Sequence, residues 1–186
     1  LEYAMSEYRF RSGRRQPGEF TPYYSIGLAG GVSHRFLTNM YAGMPQLGVN
    51  AGLSGEYHFT PYSGVRFTAG YAEVTTGTTK RTGHINTGFD YMFDLSTLFA
   101  GYTPDRRLNV TLAAGPLLSM KASKVSHIAK VSVGTQVGIP VQYRLNENWG
   151  ISLEPRAKAF FNRDYAALNG GRSAIMNLLV GATYSF

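Results

Sequence analysis

The side chains with the clearest chemical potential are serine next to histidine and a scatter of opposite charges. Ser33-His34 and Ser126-His127 supply the two residue types of a hydrolytic nucleophile and its base. Such a pair works only when both groups point the same way and an acid orients the imidazole. Adjacent residues of a strand point to opposite faces, so Ser33 and His34 do not form a pair within one strand. Ser126-His127 falls in an expected loop with no acid near it in sequence, and such short motifs arise readily by chance. His34, His58, His84 and His127 lack the close spacing of metal ligands, and there is no cysteine. No glycine-rich phosphate loop joins a strand to a helix. The residues therefore predict no catalytic site, no metal, no cofactor and a non-enzymatic protein.

The charges make a different pattern. Glu56, Asp90, Asp94 and Glu154 stand against Arg35, Arg66, Arg144, Arg156 and Lys158, with His58 beside them. They recur on one face of segments whose other face is apolar. Buried charges are tolerable only when paired, so this set is expected to form a salt-bridge network inside a closed structure, filling it rather than leaving an open pore.

The elements that must position these residues are strands. The 186 residues include 22 Gly, 13 Tyr and 11 Phe, with only 16% charged, a composition suited to strands and turns and poorly suited to a helical bundle. Period-two alternation dominates from Tyr23 onward. Eight segments follow: Tyr23–Phe36, Gln46–Phe59, Gly64–Thr75, Thr87–Tyr102, Leu108–Met120, Ala129–Leu145, Trp149–Phe161 and Ser173–Phe186. Each exceeds the ~9–11 residues of a tilted membrane-crossing strand. In Ala129–Leu145 one face reads Val131, Val133, Thr135, Val137, Ile139, Val141, Tyr143 and the other Ser132, Gly134, Gln136, Gly138, Pro140, Gln142, Arg144.

An even set of such strands closes into an antiparallel barrel. In a soluble lipocalin-like barrel the apolar face turns inward; in a membrane barrel it turns to lipid. Aromatics near the strand ends on the apolar face (Tyr57, Phe59, Phe67, Tyr71, Phe89, Phe99, Tyr143, Phe161, Tyr184 and Phe186) suit interfacial girdles. The polar face is rich in small residues and too sparse in long charged ones to be a solvated exterior. Both features favour lipid outside. No run of 18 apolar residues is present, which excludes a transmembrane helix but not a transmembrane strand. The mean hydropathy, slightly below zero, reflects that dilution.

Connections are expected to alternate between short turns (60–63, 103–107, 146–148) and loops of about ten residues (37–45, 76–86, 121–128, 162–172). This alternation predicts two regions, an N-terminal periplasmic arm over 1–22 and a barrel over 23–186, with both termini periplasmic. The arm carries Arg9, Arg11, Arg14 and Arg15. No signal peptide is visible in Leu1–Phe10, so an exported chain is expected here in processed form.

The C-terminal Gly181-Ala182-Thr183-Tyr184-Ser185-Phe186 resembles the β-signal that outer-membrane proteins present to the barrel assembly machinery, with Gly181, Tyr184 and Phe186 in the matching places. Leu179 departs from it, because the pattern favours a polar residue there. Tyr23–Phe186 as a whole resembles the small eight-stranded OmpA/OmpX-type barrels, and the Thr-Pro turns and Gly-Tyr strand endings are similar to small barrels of Bacteroidota. Full-length OmpA continues into a peptidoglycan-binding domain; the expectation here is a barrel without one.

The resemblance implies an all-β, up-and-down transmembrane barrel in a bacterial outer membrane, with a polar, side-chain-filled lumen. The role expected first is a structural barrel or an accessory subunit of an outer-membrane complex, with the arginines of the arm, Arg9–Arg15, and the loop 162–172 as contacts. A lipid A-modifying enzyme, a narrow channel and an adhesin are the alternatives. The formal charge of +7 is placed largely on the loops. Lys80, Arg81, Lys121, Lys124, Arg163 and Arg172, with Lys130 nearby, are the expected contacts for anionic lipopolysaccharide. The remaining cations are spread over both ends and the lumen, which disfavours nucleic acid.

Overall fold

The computed structural model describes residues 20–35, 47–76, 80–103, 105–121, 130–161 and 173–186. Within them lie nine strand segments and one helix. The strands are β1 Tyr23–Arg35, β2 Leu47–His58, β3 Ser63–Thr76, β4 Lys80–Asp94, β5 Leu108–Lys121, β6 Lys130–Gly138, β7 Val141–Arg144, β8 Trp149–Phe160 and β9 Ser173–Ser185. The helix, α1, is Leu95–Ala100, between β4 and β5.

All neighbours pair antiparallel, and β1 pairs with both β2 and β9, so the sheet closes on itself. Closure removes every sheet edge and satisfies the backbone internally, the condition for crossing lipid with strands. The segments β6 and β7 form one stave. Ala113 faces Gly138 and Val110 faces Val141, so the register is unchanged across Ile139-Pro140. Pro140 has no N–H for the ladder, yet its carbonyl accepts from Thr111 N at 3.0 Å, and Ile139 N donates to Pro155 O at 3.0 Å. The result is a closed barrel of eight antiparallel staves.

The alternation sets the faces. Leu28, Val49, Leu53, Phe67, Phe89, Val137 and Val180 point outward and are exposed, while Ser25, Ser33, Thr68, Asn86, Ser132, Gln136 and Asn177 point inward and are buried. Apolar outside and polar inside is the inverse of a soluble barrel and fits lipid as the surrounding medium.

Three expectations around β4 need correction. The segment Thr87–Tyr102 does not form a single strand. The strand begins earlier, at Lys80, and stops at Asp94, whose side chain accepts from Thr97 N at 2.8 Å and caps α1. The apparent alternation through Leu95, Thr97 and Phe99 is therefore coincidental. The expected loop 76–86 is largely strand, with Thr76 facing Lys80; the threonines at 75, 76 and 82 are β-branched and favour strand. The expected short turn at 103–107 is correspondingly part of a longer helix-and-coil connection. Gly101, at φ +72°, ends the helix in a conformation few other residues adopt.

The β2–β3, β4–β5 and β7–β8 connections share one end of the barrel with the start of β1 and the end of β9, hereafter the turn end. There Asn146 Oδ1 accepts from Asn148 N and Trp149 N at 3.0 and 2.7 Å, closing the β7–β8 turn.

Candidate functional site

The inward face gathers its ionisable groups at mid-depth. Arg66 on β3 donates through Nε and Nη2 to Asp90 Oδ2 at 3.0 and 2.8 Å. It also reaches Glu154 on β8, through Nη1 and Nη2, each at 2.9 Å. In the ring of eight staves β3 and β8 stand on opposite sides, so Arg66 spans the lumen. Arg156 holds the same carboxylate from its own strand, Nε to Oε1 at 2.7 Å and Nη2 to Oε2 at 2.9 Å. The far oxygen of Asp90 accepts from Gln136 Nε2 at 2.8 Å. The side chains of Arg66 and Asp90 are 3% and 0% exposed. These are forked, charge-assisted contacts, the geometry in which a buried guanidinium repays its desolvation best.

Local sequence makes the room. A Cβ on Gly138 would collide with Glu154 Oε1, and one on Gly88 would meet Gln136 Nε2. Glycine on the inner face is therefore what lets large charged side chains fill so narrow a tube.

Toward the turn end, Glu56 accepts from Ser25 Oγ at 3.0 Å and lies 3.5 Å from His58 Nε2. The His58 ring stacks on Tyr23 at 4.5 Å, and Phe20 links Tyr23 to Tyr102 of the β4–β5 connection, at 6.3 and 5.7 Å. This aromatic chain covers part of that mouth. Toward the other end, the loop end, Leu117, Phe160 and Ile175 form a buried apolar cluster inside the lumen. A cavity of about 90 Å³ of mixed lining runs between them, bordered by Asn50, Asn86, Gln136 and Lys158 and also by Met92 and Leu117. That volume suits a few waters and is well below the size of an ordinary small-molecule site.

Of the expected network, Arg66, Asp90, Glu154 and Arg156 come together, and Glu56 pairs with His58 nearby. Lys158 borders the cavity, but no carboxylate of the described residues lies within ion-pair distance of it. Two residues fall elsewhere. Asp94 caps α1 instead of joining an ion pair, because the strand ends there. Arg144 lines a small recess at the turn end with Arg107, Asn109, Gln142 and Glu147, since β7 is the last part of its stave. The side chain of Arg35 lies outside the described residues, as do those of Lys80, Arg81, Lys121, Lys124, Lys130, Arg163 and Arg172, the whole arm 1–19 and Ser126-His127.

Ser33 is buried in the lumen and accepts from Asn50 Nδ2 at 2.7 Å. Among the described residues no three His, Asp or Glu side chains gather as metal ligands.

In the C-terminal motif, Tyr184 meets Trp149 and Phe186 edge-on, each at 5.1 Å, and Phe186 N donates to Tyr24 O at 2.9 Å, sealing β9 to β1. Leu179, the position where a polar residue is usual, points into the lumen at 8% exposure. The apolar lumen cluster was missed from sequence. Phe160 beside Phe161, and Leu117 beside Leu118, offer no choice of face by residue type; only parity counted from Glu154 and Arg156 along β8 could have assigned Phe160 inward.

The architecture is that of the small transmembrane barrels of bacterial outer membranes. Neither a protein-family model nor a curated protein sequence matches the chain. Solved structures do. The chain is similar to the N-terminal β-barrel domain of Pseudomonas aeruginosa OprF, at 14% identity and a TM-score of 0.55 over 89% of this chain and 100% of that one. It is similar to Neisserial surface protein A, at 14% identity and a TM-score of 0.59 over 90% and 100%. The outer membrane enzyme PagL also aligns, at 13% identity and a TM-score of 0.51 over 86% and 97%. At these identities the likeness establishes the fold: a small eight-stranded outer-membrane-type barrel. It gives no support to an origin in Bacteroidota.

Proposed function

We propose that this chain is a non-enzymatic structural barrel of a bacterial outer membrane, serving as an accessory subunit of a larger outer-membrane assembly. The observation that carries the reading is the mid-lumen network. Arg66, Arg156, Asp90 and Glu154 saturate one another across the tube, leaving them engaged in closing the barrel instead of facing a substrate. The outward surface, apolar on every stave, takes lipid as its solvent.

Two of the three connections at the turn end, β2–β3 and β7–β8, are short, while β4–β5 is long and the β3–β4 hairpin at the other end is tight. On the balance of short turns we assign the turn end, and with it both chain ends, to the periplasm. The loop end then meets lipopolysaccharide, whose anions are matched by Lys80, Arg81, Lys121, Lys124, Arg163 and Arg172. Gly181, Tyr184 and Phe186 present the strand read by the barrel assembly machinery. The arginine-rich arm 1–22 supplies the docking element for a partner.

Native mass spectrometry after mild detergent extraction tests the accessory role. A heterologous complex that dissociates when 1–22 is removed is expected; a solitary monomer in both cases rejects it. A narrow channel is the second reading, favoured by the cavity of about 90 Å³ that borders the network inside the lumen. Planar-bilayer recordings are expected to stay silent, and steady unitary currents would transfer the proposal to that reading. The fold also carries enzymes, as PagL illustrates. Unchanged lipid A mass spectra with and without the protein are the outcome expected here.

A further inference from the structure

The turn end carries outward aromatics in contact from stave to stave. Tyr24 stacks on Tyr57 at 4.5 Å, Phe59 lies 6.4 Å from Tyr91, and Trp149 meets Tyr184 at 5.1 Å. Such a ring marks the level of the lipid headgroups. One sector lacks an aromatic strand residue, because β5 turns Leu108, Val110 and Leu112 outward there.

That sector is where α1 sits. Pairing between β4 and β5 ends at Asp94 opposite Thr111, and beyond it Val110 N donates to Ser96 Oγ at 2.7 Å. The helix thus occupies the place beside β5 that β4 vacates. Asp94 caps its start, and Arg106 Nη2 donates to Ala100 O and Gly101 O at its end, at 3.3 and 2.6 Å. The body of the helix, Leu95–Ala100, contains no charged residue. Thr97 is buried, whereas Leu98 and Phe99 are 50% and 83% exposed. A helix fixed at both ends and along one side, with its largest apolar side chains bare, is built to hold them against something.

We propose that α1 is an interfacial foot: Leu98 and Phe99 enter the phospholipid leaflet at the turn end and complete the aromatic ring. The inference rests on the transmembrane reading of the barrel. Lipid is the occupant because α1 lies beside β5 in the sector where Leu108 and Leu112 already face outward, and a helix body free of charged side chains suits the acyl boundary.

Trp149 is the only tryptophan in the chain, which makes a clean test. The doubly substituted protein Trp149→Phe, Phe99→Trp moves the sole indole onto the helix. Both proteins are reconstituted into phosphatidylcholine vesicles containing lipid brominated near the headgroup end of one acyl chain. The indole at position 99 is expected to emit to the blue of its value in water and to be quenched within about twofold of Trp149 in the parent, as for two members of one interfacial ring. Quenching at 99 by aqueous iodide but not by brominated lipid, with Trp149 still lipid-quenched, overturns the foot and points to a protein partner. Loss of lipid quenching at both positions overturns the transmembrane reading, and the foot with it.

Discussion

At mid-depth the lumen is filled by Arg66, Asp90, Glu154 and Arg156, whereas toward the loop end it is filled by Leu117, Phe160 and Ile175. Both levels remove space from the same tube, and both are covered by the same strands. They differ in what they demand of their neighbours. The ionic level needs every partner in place, because each guanidinium removed from water must recover its solvation from a carboxylate. The apolar level needs only volume, since its members are held by contact and by exclusion of water. The first specifies which side chains meet; the second closes the tube with whatever fits.

That difference is measurable. Glu154→Ala is expected to have the largest effect, since it strips the shared partner from Arg66 and Arg156, leaving Arg66 with Asp90 alone and Arg156 with no carboxylate among the described residues. Loss of a partner from a buried pair costs about 3–5 kcal/mol, to be read as a lower urea midpoint of the folded barrel in lipid vesicles. A Glu154→Ala barrel as stable as the parent would mean that water already solvates the network.

Phe160→Ala probes the apolar level. Large-to-small changes in packed interiors cost roughly 3–5 kcal/mol, less where neighbours close in. The expected signature is a smaller loss than for Glu154→Ala, and one partly restored by Leu117→Phe, which returns volume at the same level from β5, across Gly134 of the intervening stave. Restoration of the ionic level by a mere volume substitution is not expected, and finding it would erase the distinction drawn above.

Leu53→Arg, outward at mid-strand, sets a reference from the lipid side. A cation at the bilayer midplane on a barrel exterior costs about 2–4 kcal/mol. The same titration is expected to show that loss in vesicles; no change would place Leu53 away from the hydrocarbon. The smallest effect is expected for Lys158→Met. With no carboxylate of the described residues in ion-pair range, removing this half-buried cation changes stability by under about 1 kcal/mol or raises it. A loss as large as that of Glu154→Ala would make Lys158 a full member of the ionic level.

Much of this molecule is legible in residue order. Alternation gave seven of the eight staves close to their observed bounds, and the outward apolar face with them, because a strand's side chains must alternate and lipid accepts only one kind. The co-facing charges at Arg66, Asp90, Glu154 and Arg156 were visible for the same reason: ionised groups on a face that cannot be solvated must find each other. The fourth stave was misplaced because Asp94 reads equally well as a lumen acid or a helix cap, and only the backbone geometry that brings Thr97 N to its oxygen distinguishes them.

What alternation fixes is therefore parity: which residues share a face, and which medium that face requires. Partnership is a matter of depth and of position around the ring, and these follow from the register of every stave at once. Arg66 meets Glu154 because the closed sheet sets β3 opposite β8 at the same level, while Asp94 and Arg144, on the same inner face, end a stave too near the turn end to join them. No local stretch of chain carries that information, since closure is a property of the whole ring.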